Sequence, residues 1–96
     1  MDKPIEWNPD KNRTLIALRE IGFEEIVAVL DKEGYVKDLP HYNPAKYPNQ
    51  RIFYVKIREY IYMVPYVEDA IRIFLKTIIP SRKANKKHNK IEKETK

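Results

Sequence analysis

Between Arg51 and Ile79 apolar side chains recur at every second position, and this period of two constrains the fold more than any other feature of the chain. Phe53, Val55 and Ile57 share one side of a predicted strand, with Tyr54, Lys56 and Arg58 on the other. Arg58-Glu59 stands where a tight hairpin connection belongs, without the Asn-Gly chemistry such turns prefer. A second strand over residues 60–66 puts Ile61 and Met63 on one face and Tyr60, Tyr62, Val64 and Tyr66 on the other. Pro65, which has no N–H to donate, predicts that this strand ends there or runs along an exposed edge. After a turn at Glu68-Asp69, a third strand places Ile71, Ile73, Leu75, Thr77 and Ile79 on one side and Arg72, Phe74, Lys76 and Ile78 on the other, until Pro80 stops it.

Upstream the period changes. Ile5-Glu6-Trp7 alternates like a short edge strand, and Asn8-Pro9 supplies a helix cap followed by proline at the first helical position. Leu15, Leu18 and Gly22, with Ile16 and Ile21 beside them, predict an amphipathic helix over residues 9–21 that Gly22 ends. Phe23, Ile26, Val27 and Leu30 follow the i, i+3, i+4, i+7 spacing of a second helix over residues 23–32, closed by Gly34. Pro40, Pro44 and Pro48 make residues 35–50 a loop with at most a short strand around 35–39. The order predicts an α+β fold: a short N-terminal strand and a two-helix hairpin packed on an antiparallel meander of three to four strands.

Ninety-six residues are enough for one core, so residues 1–80 read as a single domain and residues 81–96 as a tail, partly helical or disordered. The body carries 12 Lys+Arg and 12 Asp+Glu, so the whole +5 net charge sits in the last sixteen residues. A neutral body with a basic tail suits a polyanionic partner, or a tail that only keeps the chain in solution. The absence of cysteine excludes disulfide scaffolds and thiol chemistry. No apolar run approaches the ~18 residues of a membrane span, and the start is not apolar enough for a signal peptide, so the expected location is the cytoplasm, with no membrane contact.

The strand faces opposite the expected core carry Tyr54, Lys56, Arg58, Tyr60, Tyr62, Tyr66, Arg72 and Lys76. Tyrosines that stack bases, interleaved with cations that neutralise phosphates, suit single-stranded RNA; an ordinary solvated sheet face has the same composition. Cleaving RNA without a metal requires a base for the 2′-hydroxyl, an acid for the departing 5′-oxygen and cations for the phosphorane. The base is usually His, or a Lys whose pKa neighbouring cations depress. His41, in the proline-rich loop, is the histidine in an ordered position, although a lone loop histidine is more often inert; His88 lies among tail lysines. Two isolated histidines offer no zinc site, and Gly22 and Gly34 form no phosphate-binding loop, so neither a metal nor a nucleotide cofactor is expected.

Trp7-Asn8-Pro9-Asp10-Lys11-Asn12 and Ile21-Gly22-Phe23-Glu24-Glu25-Ile26, with the ending Ser81-Arg82-Lys83-Ala84, resemble the BrnT family of bacterial type II toxins over most of residues 5–84. Asn8 stands where that family usually has Asp, which keeps the cap and removes a charge. The resemblance implies a RelE-like fold and a metal-independent ribonuclease that inhibits translation. It also implies neutralisation by a small ribbon-helix-helix antitoxin, the free toxin being a monomer or weak dimer. By this resemblance Lys11 matches the family's early lysine and Arg82 its late arginine, while an alternative alignment brings that arginine to Thr77, beside Lys76. The expected site then has Arg82 and Lys76 on the scissile phosphate with Arg72 in support. Lys11 or His41 takes the 2′-hydroxyl proton, Tyr62 or Tyr54 stacks a base, and Lys56, Arg58 and Lys83 add to the RNA surface. A non-catalytic RNA- or protein-binding module on the same fold is the alternative.

Overall fold

A computed structural model describes residues 3–32 and 34–82. Its elements follow the order β1 (Ile5–Trp7), α1 (Pro9–Arg19), α2 (Phe23–Asp31), β2 (Tyr35–Pro40), β3 (Gln50–Ile57), β4 (Tyr60–Glu68), β5 (Ile73–Leu75) and β6 (Ile79–Pro80). Together they make a small α+β globule with two helices and a six-stranded mixed sheet of order β1-β5-β4-β3-β2, with β6 also on β4. The expected meander is present as β2 to β5. Beyond it, β1 lies parallel to β5, pairing Ile5 with Ile73 and Trp7 with Leu75.

Asn8 caps α1 as its sequence requires, its Oδ1 accepting from the Asp10 N–H at 2.8 Å and the Lys11 N–H at 3.1 Å. The helix stops earlier than expected. Glu20, at φ 58°, takes the left-handed position and donates its N–H to the Ile16 carbonyl, so glycine is not the terminator. That early stop turns Ile21 into the core, fully buried, while Ile16 and Leu18 are left 48% and 77% exposed. Gly22 instead precedes α2 in extended conformation. A Cβ there would meet Asn12 Oδ1 and the Ile16 side chain at 3.0 Å, so the close approach of the two helices selects glycine.

Buried Asn12 joins the helices. Its Oδ1 accepts the Phe23 N–H at 2.8 Å, an orphan donor of the first turn of α2, and its Nδ2 donates to the Glu24 carboxylate at 3.0 Å. Phe23, Ile26 and Leu30 then bury one stripe of α2, each contributing about 1.5–3 kcal/mol by transfer from water. Gly34 closes the helix, its N–H on the Val29 carbonyl at 2.8 Å.

The core forms between this hairpin and one face of the sheet, the helix face. It contains Phe53, Val55, Ile57, Val64, Tyr66, Ile73, Leu75 and Ile78. The Arg58-Glu59 connection is a two-residue turn with both residues at positive φ, 51° and 65°, the form that matches strand twist, here built without Asn or Gly. It sets Ile57 opposite Tyr60, Val55 opposite Tyr62 and Phe53 opposite Val64. Tyr60, Tyr62 and Tyr66 therefore share the helix face with Phe53, Val55 and Ile57. This corrects the expected clustering of those tyrosines with Tyr54 and Lys56, whose partners on β4 are Met63 and Ile61. The Tyr66 ring stacks on Phe53 at 4.0 Å, and its hydroxyl donates to Asp38 Oδ1 at 2.8 Å.

The single third strand expected over residues 71–79 is two strands. β5 pairs Leu75 with Tyr66, and β6 pairs Ile79 with Met63, so three residues between β5 and β6 span two of β4. This extra residue is a β-bulge, and it reverses the alternation. Ile78 consequently enters the core, and Ile79 moves to the far face. Pro65 is accommodated inside β4 because the strand's neighbours need only its carbonyl, which accepts the Lys76 N–H at 2.8 Å.

Candidate nucleic-acid interface

The far face of the sheet, opposite the helices, is where the chemistry-bearing side chains gather. β3 contributes Tyr54 and Lys56 to it, β4 Met63 and Val67, and β5 Phe74. Phe74 stands between two cations, with the Arg72 guanidinium 5.6 Å and the Lys76 Nζ 5.5 Å from its ring centroid. The alternation of β5 requires this, because residues 72, 74 and 76 follow one another on one side of the chain while Ile73 and Leu75 enter the core. The cations differ in restraint. Arg72 is tied to Glu6 Oε1 at 3.0 Å, and Lys76 has no carboxylate partner among the described residues.

The β4–β5 connection completes a cleft of about 300 Å³ lined by Val67, Glu68, Asp69, Arg72, Phe74 and Lys76. Asp69 Oδ1 accepts the backbone N–H groups of Ile71 and Arg72, each at 2.8 Å, which folds the turn. Those two hydrogen bonds hold the Asp69 carboxyl below the usual carboxylate range, so it stays ionised. Glu68 pairs with Lys3 at 2.7 Å.

On the other side of the far face the proline-rich loop forms an aromatic cluster. The His41 ring lies 4.5 Å from Tyr42 and 4.4 Å from Tyr47, and Lys46 sits over Tyr47. Burial, and after it the neighbouring Tyr42 phenol, raises the Tyr54 pKa, keeping its hydroxyl neutral.

The expected site residues are dispersed across this frame. Tyr54, Lys56, Arg72 and Lys76 share the far face or its edge, Lys56 being half-buried with Glu59 at 3.5 Å. Tyr62 lies on the helix face, packed against the core. Arg58 is engaged in structure: it donates to the Glu20 carbonyl at 2.9 Å and to Glu25 Oε2 at 3.2 Å, clasping the hairpin to the junction of the helices. His41 is buried, its ring Nδ1 accepting the Asn43 N–H at 3.0 Å and its backbone N–H donating to the Gln50 carbonyl. Lys11 is exposed on α1, which packs against the helix face through Leu15. Arg82 follows Ser81, whose N–H bonds the Ile61 carbonyl, whereas Lys76 bonds Pro65. Those contact points are four residues apart along β4, so the two backbones lie roughly 13 Å apart. Lys83 and His88 lie outside the described residues.

Phe74, Tyr42 and Tyr47 were not singled out from the sequence, although Phe74 was assigned to the same face as Arg72 and Lys76, which was signal enough to find it. The Tyr66–Asp38–Arg51 network on the helix face was missed as well. Arg51 Nε donates to Asp38 Oδ1 at 3.1 Å, and burial first, then the hydrogen bond to Asp38, raises the Tyr66 pKa far above the ordinary phenol value. Among the described residues no group of three His, Asp or Glu side chains is placed to hold a metal ion, and no helix is long and apolar enough to cross a membrane. No protein-family model, no curated protein and no solved structure matches the chain.

Proposed function

We propose that this protein acts on single-stranded RNA as the toxin of a bacterial type II toxin–antitoxin pair, a metal-independent ribonuclease of the RelE-like, BrnT kind. The observation that carries the proposal is the cation–aromatic–cation row Arg72, Phe74, Lys76 on a face that also bears Tyr54 and Lys56. Aromatic rings stack unpaired bases whatever their identity, and the cations follow the phosphates. The order strand, helix, helix, meander agrees with this reading. In it Lys76 stabilises charge on the attacked phosphate, Arg72 supports it, and Arg82 enters from the end of β6. The cognate partner is a small ribbon-helix-helix antitoxin, the free toxin is a monomer or weak dimer, and the site of action is the cytoplasm.

A second reading, an RNA-binding module without catalysis, is favoured by the placement of the two candidate bases. His41 is buried with its Nδ1 occupied, and Lys11 belongs to a helix on the other side of the sheet. The experiment is induction of the wild type and of an Arg72→Ala, Lys76→Ala variant in a bacterial host, following growth and bulk RNA. Arrest with RNA loss for the wild type alone supports the ribonuclease. Normal growth and intact RNA with the wild type, despite full expression, together with salt-sensitive RNA binding in vitro, supports the second reading.

A further inference from the structure

The geometry points to the Phe74 cleft as a subsite for one unstacked nucleobase that carries an amino group, with Asp69 reading its edge; this rests on the RNA reading above and names the nucleotide it takes. Four observations converge. The cleft holds about 300 Å³ and has an aromatic wall, Phe74, half-exposed on the far face. Its two cations are unequal: Arg72 is anchored by Glu6 on the ring, whereas Lys76 rests on the ring without a carboxylate partner among the described residues. A base takes the place of Lys76 on the ring, Arg72 keeping its pairing with Glu6, and the released ammonium meets the adjoining phosphate.

The rim supplies the discrimination. Asp69 uses Oδ1 for the two backbone N–H groups of its turn, and Oδ2 takes no hydrogen bond among the described residues. An ionised carboxylate oxygen only accepts. It pairs with the exocyclic N–H₂ of cytosine, adenine or guanine and repels the O4 carbonyl that uracil presents at the same place. Glu68, held by Lys3 on the same rim, carries the same sign and adds no donor. Cytosine and uracil have the same size and differ only along this edge, in the C4 substituent and the N3 proton, so the pair reports on the contact with Asp69 and not on the fit of the base.

The test is fluorescence anisotropy with labelled hexacytidylate and hexauridylate on the full chain at neutral pH, with thermal unfolding of each variant as the folding control. The wild type is expected to bind the cytidine hexamer about tenfold more tightly, the effect of one charge-assisted hydrogen bond. Asp69→Asn keeps the turn through its remaining Oδ1 and puts an N–H₂ where Oδ2 was, so the preference is expected to vanish or reverse towards uridine. Phe74→Leu is expected to weaken both hexamers about tenfold, the loss of one stacked base. Equal binding of the two hexamers by the wild type, or an unchanged preference in Asp69→Asn, overturns the subsite while leaving RNA binding intact. Failure of the folded wild type to bind either hexamer overturns the RNA reading itself, and the subsite with it.

Discussion

The Arg58-Glu59 turn yields a prediction in which two adjacent, chemically similar changes act in opposite directions. Both residues are left-handed, at φ 51° and 65°. For a residue with a Cβ that conformation costs about 1–2 kcal/mol, which glycine avoids; glycine in turn loses about 0.5–1 kcal/mol through its freer unfolded chain. Glu59 gives up little else, since its ion pair with Lys56, at 3.5 Å, joins a side chain 88% exposed and contributes a few tenths of a kcal/mol at most. Glu59→Gly therefore stabilises by about 0.5 kcal/mol, which in a domain of this size raises Tm by about 2–4 °C. Arg58→Gly relieves the same backbone strain but removes the hydrogen bonds to the Glu20 carbonyl and to Glu25. At about 1 kcal/mol each, discounted for partial exposure, these outweigh the gain, and Tm falls. Thermal unfolding followed by far-ultraviolet circular dichroism measures both. A Glu59→Gly variant no more stable than the wild type, or two glycine variants shifting the same way, would refute the reasoning.

Three further outcomes are expected. Asn12→Ala leaves the Phe23 N–H without its acceptor at a buried helix junction and should cost about 1–3 kcal/mol in urea unfolding, whereas an exposed Lys11→Ala should cost under 0.5 kcal/mol. Because the folded state raises the Tyr66 pKa, its contribution is complete below pH 10 and is lost as the pH climbs beyond that value; the wild type should lose stability through this alkaline range, and Tyr66→Phe should lose less of it, the remainder coming in part from Tyr54, whose pKa is raised in the same direction. Asp69 is shifted the other way, so its contribution is present above the ordinary carboxylate range and disappears as the pH falls through it. Asp69→Asn should flatten that part of the acid unfolding curve.

The meander was legible in the sequence because its period of two persists for some twenty residues, and α2 because Phe23, Ile26 and Leu30 repeat at helical spacing. What escaped was the face each strand presents. A two-residue turn places Ile57 opposite Tyr60, and the tyrosines of β4 then fall with Phe53 and Val55; counting across Arg58-Glu59 would have revealed this. The bulge after Lys76 had no such signal, since one extra residue among Lys76, Thr77 and Ile78 leaves the apolar pattern unbroken while exchanging its faces. Nor did composition reveal that Glu20 ends α1, because the nearby Gly22 is a stronger stop signal by propensity and is needed instead for helix contact. For the candidate site, Arg72 and Lys76 were legible from alternation alone. The engagement of Arg58 and His41 in structure depends on contacts 33 and 38 residues away for the one and on ring stacking for the other.

The central claim is that the far-face row Arg72, Phe74, Lys76 holds the phosphates of single-stranded RNA. The most direct test is the salt dependence of binding of a labelled single-stranded RNA to the wild type and to the Arg72→Ala, Lys76→Ala variant. With about 0.7 counterion released per phosphate contacted on a single strand, removing two cations should weaken binding and reduce the slope of log K against log salt by about 1.4. Equal affinity and equal slope for the two proteins would contradict the claim.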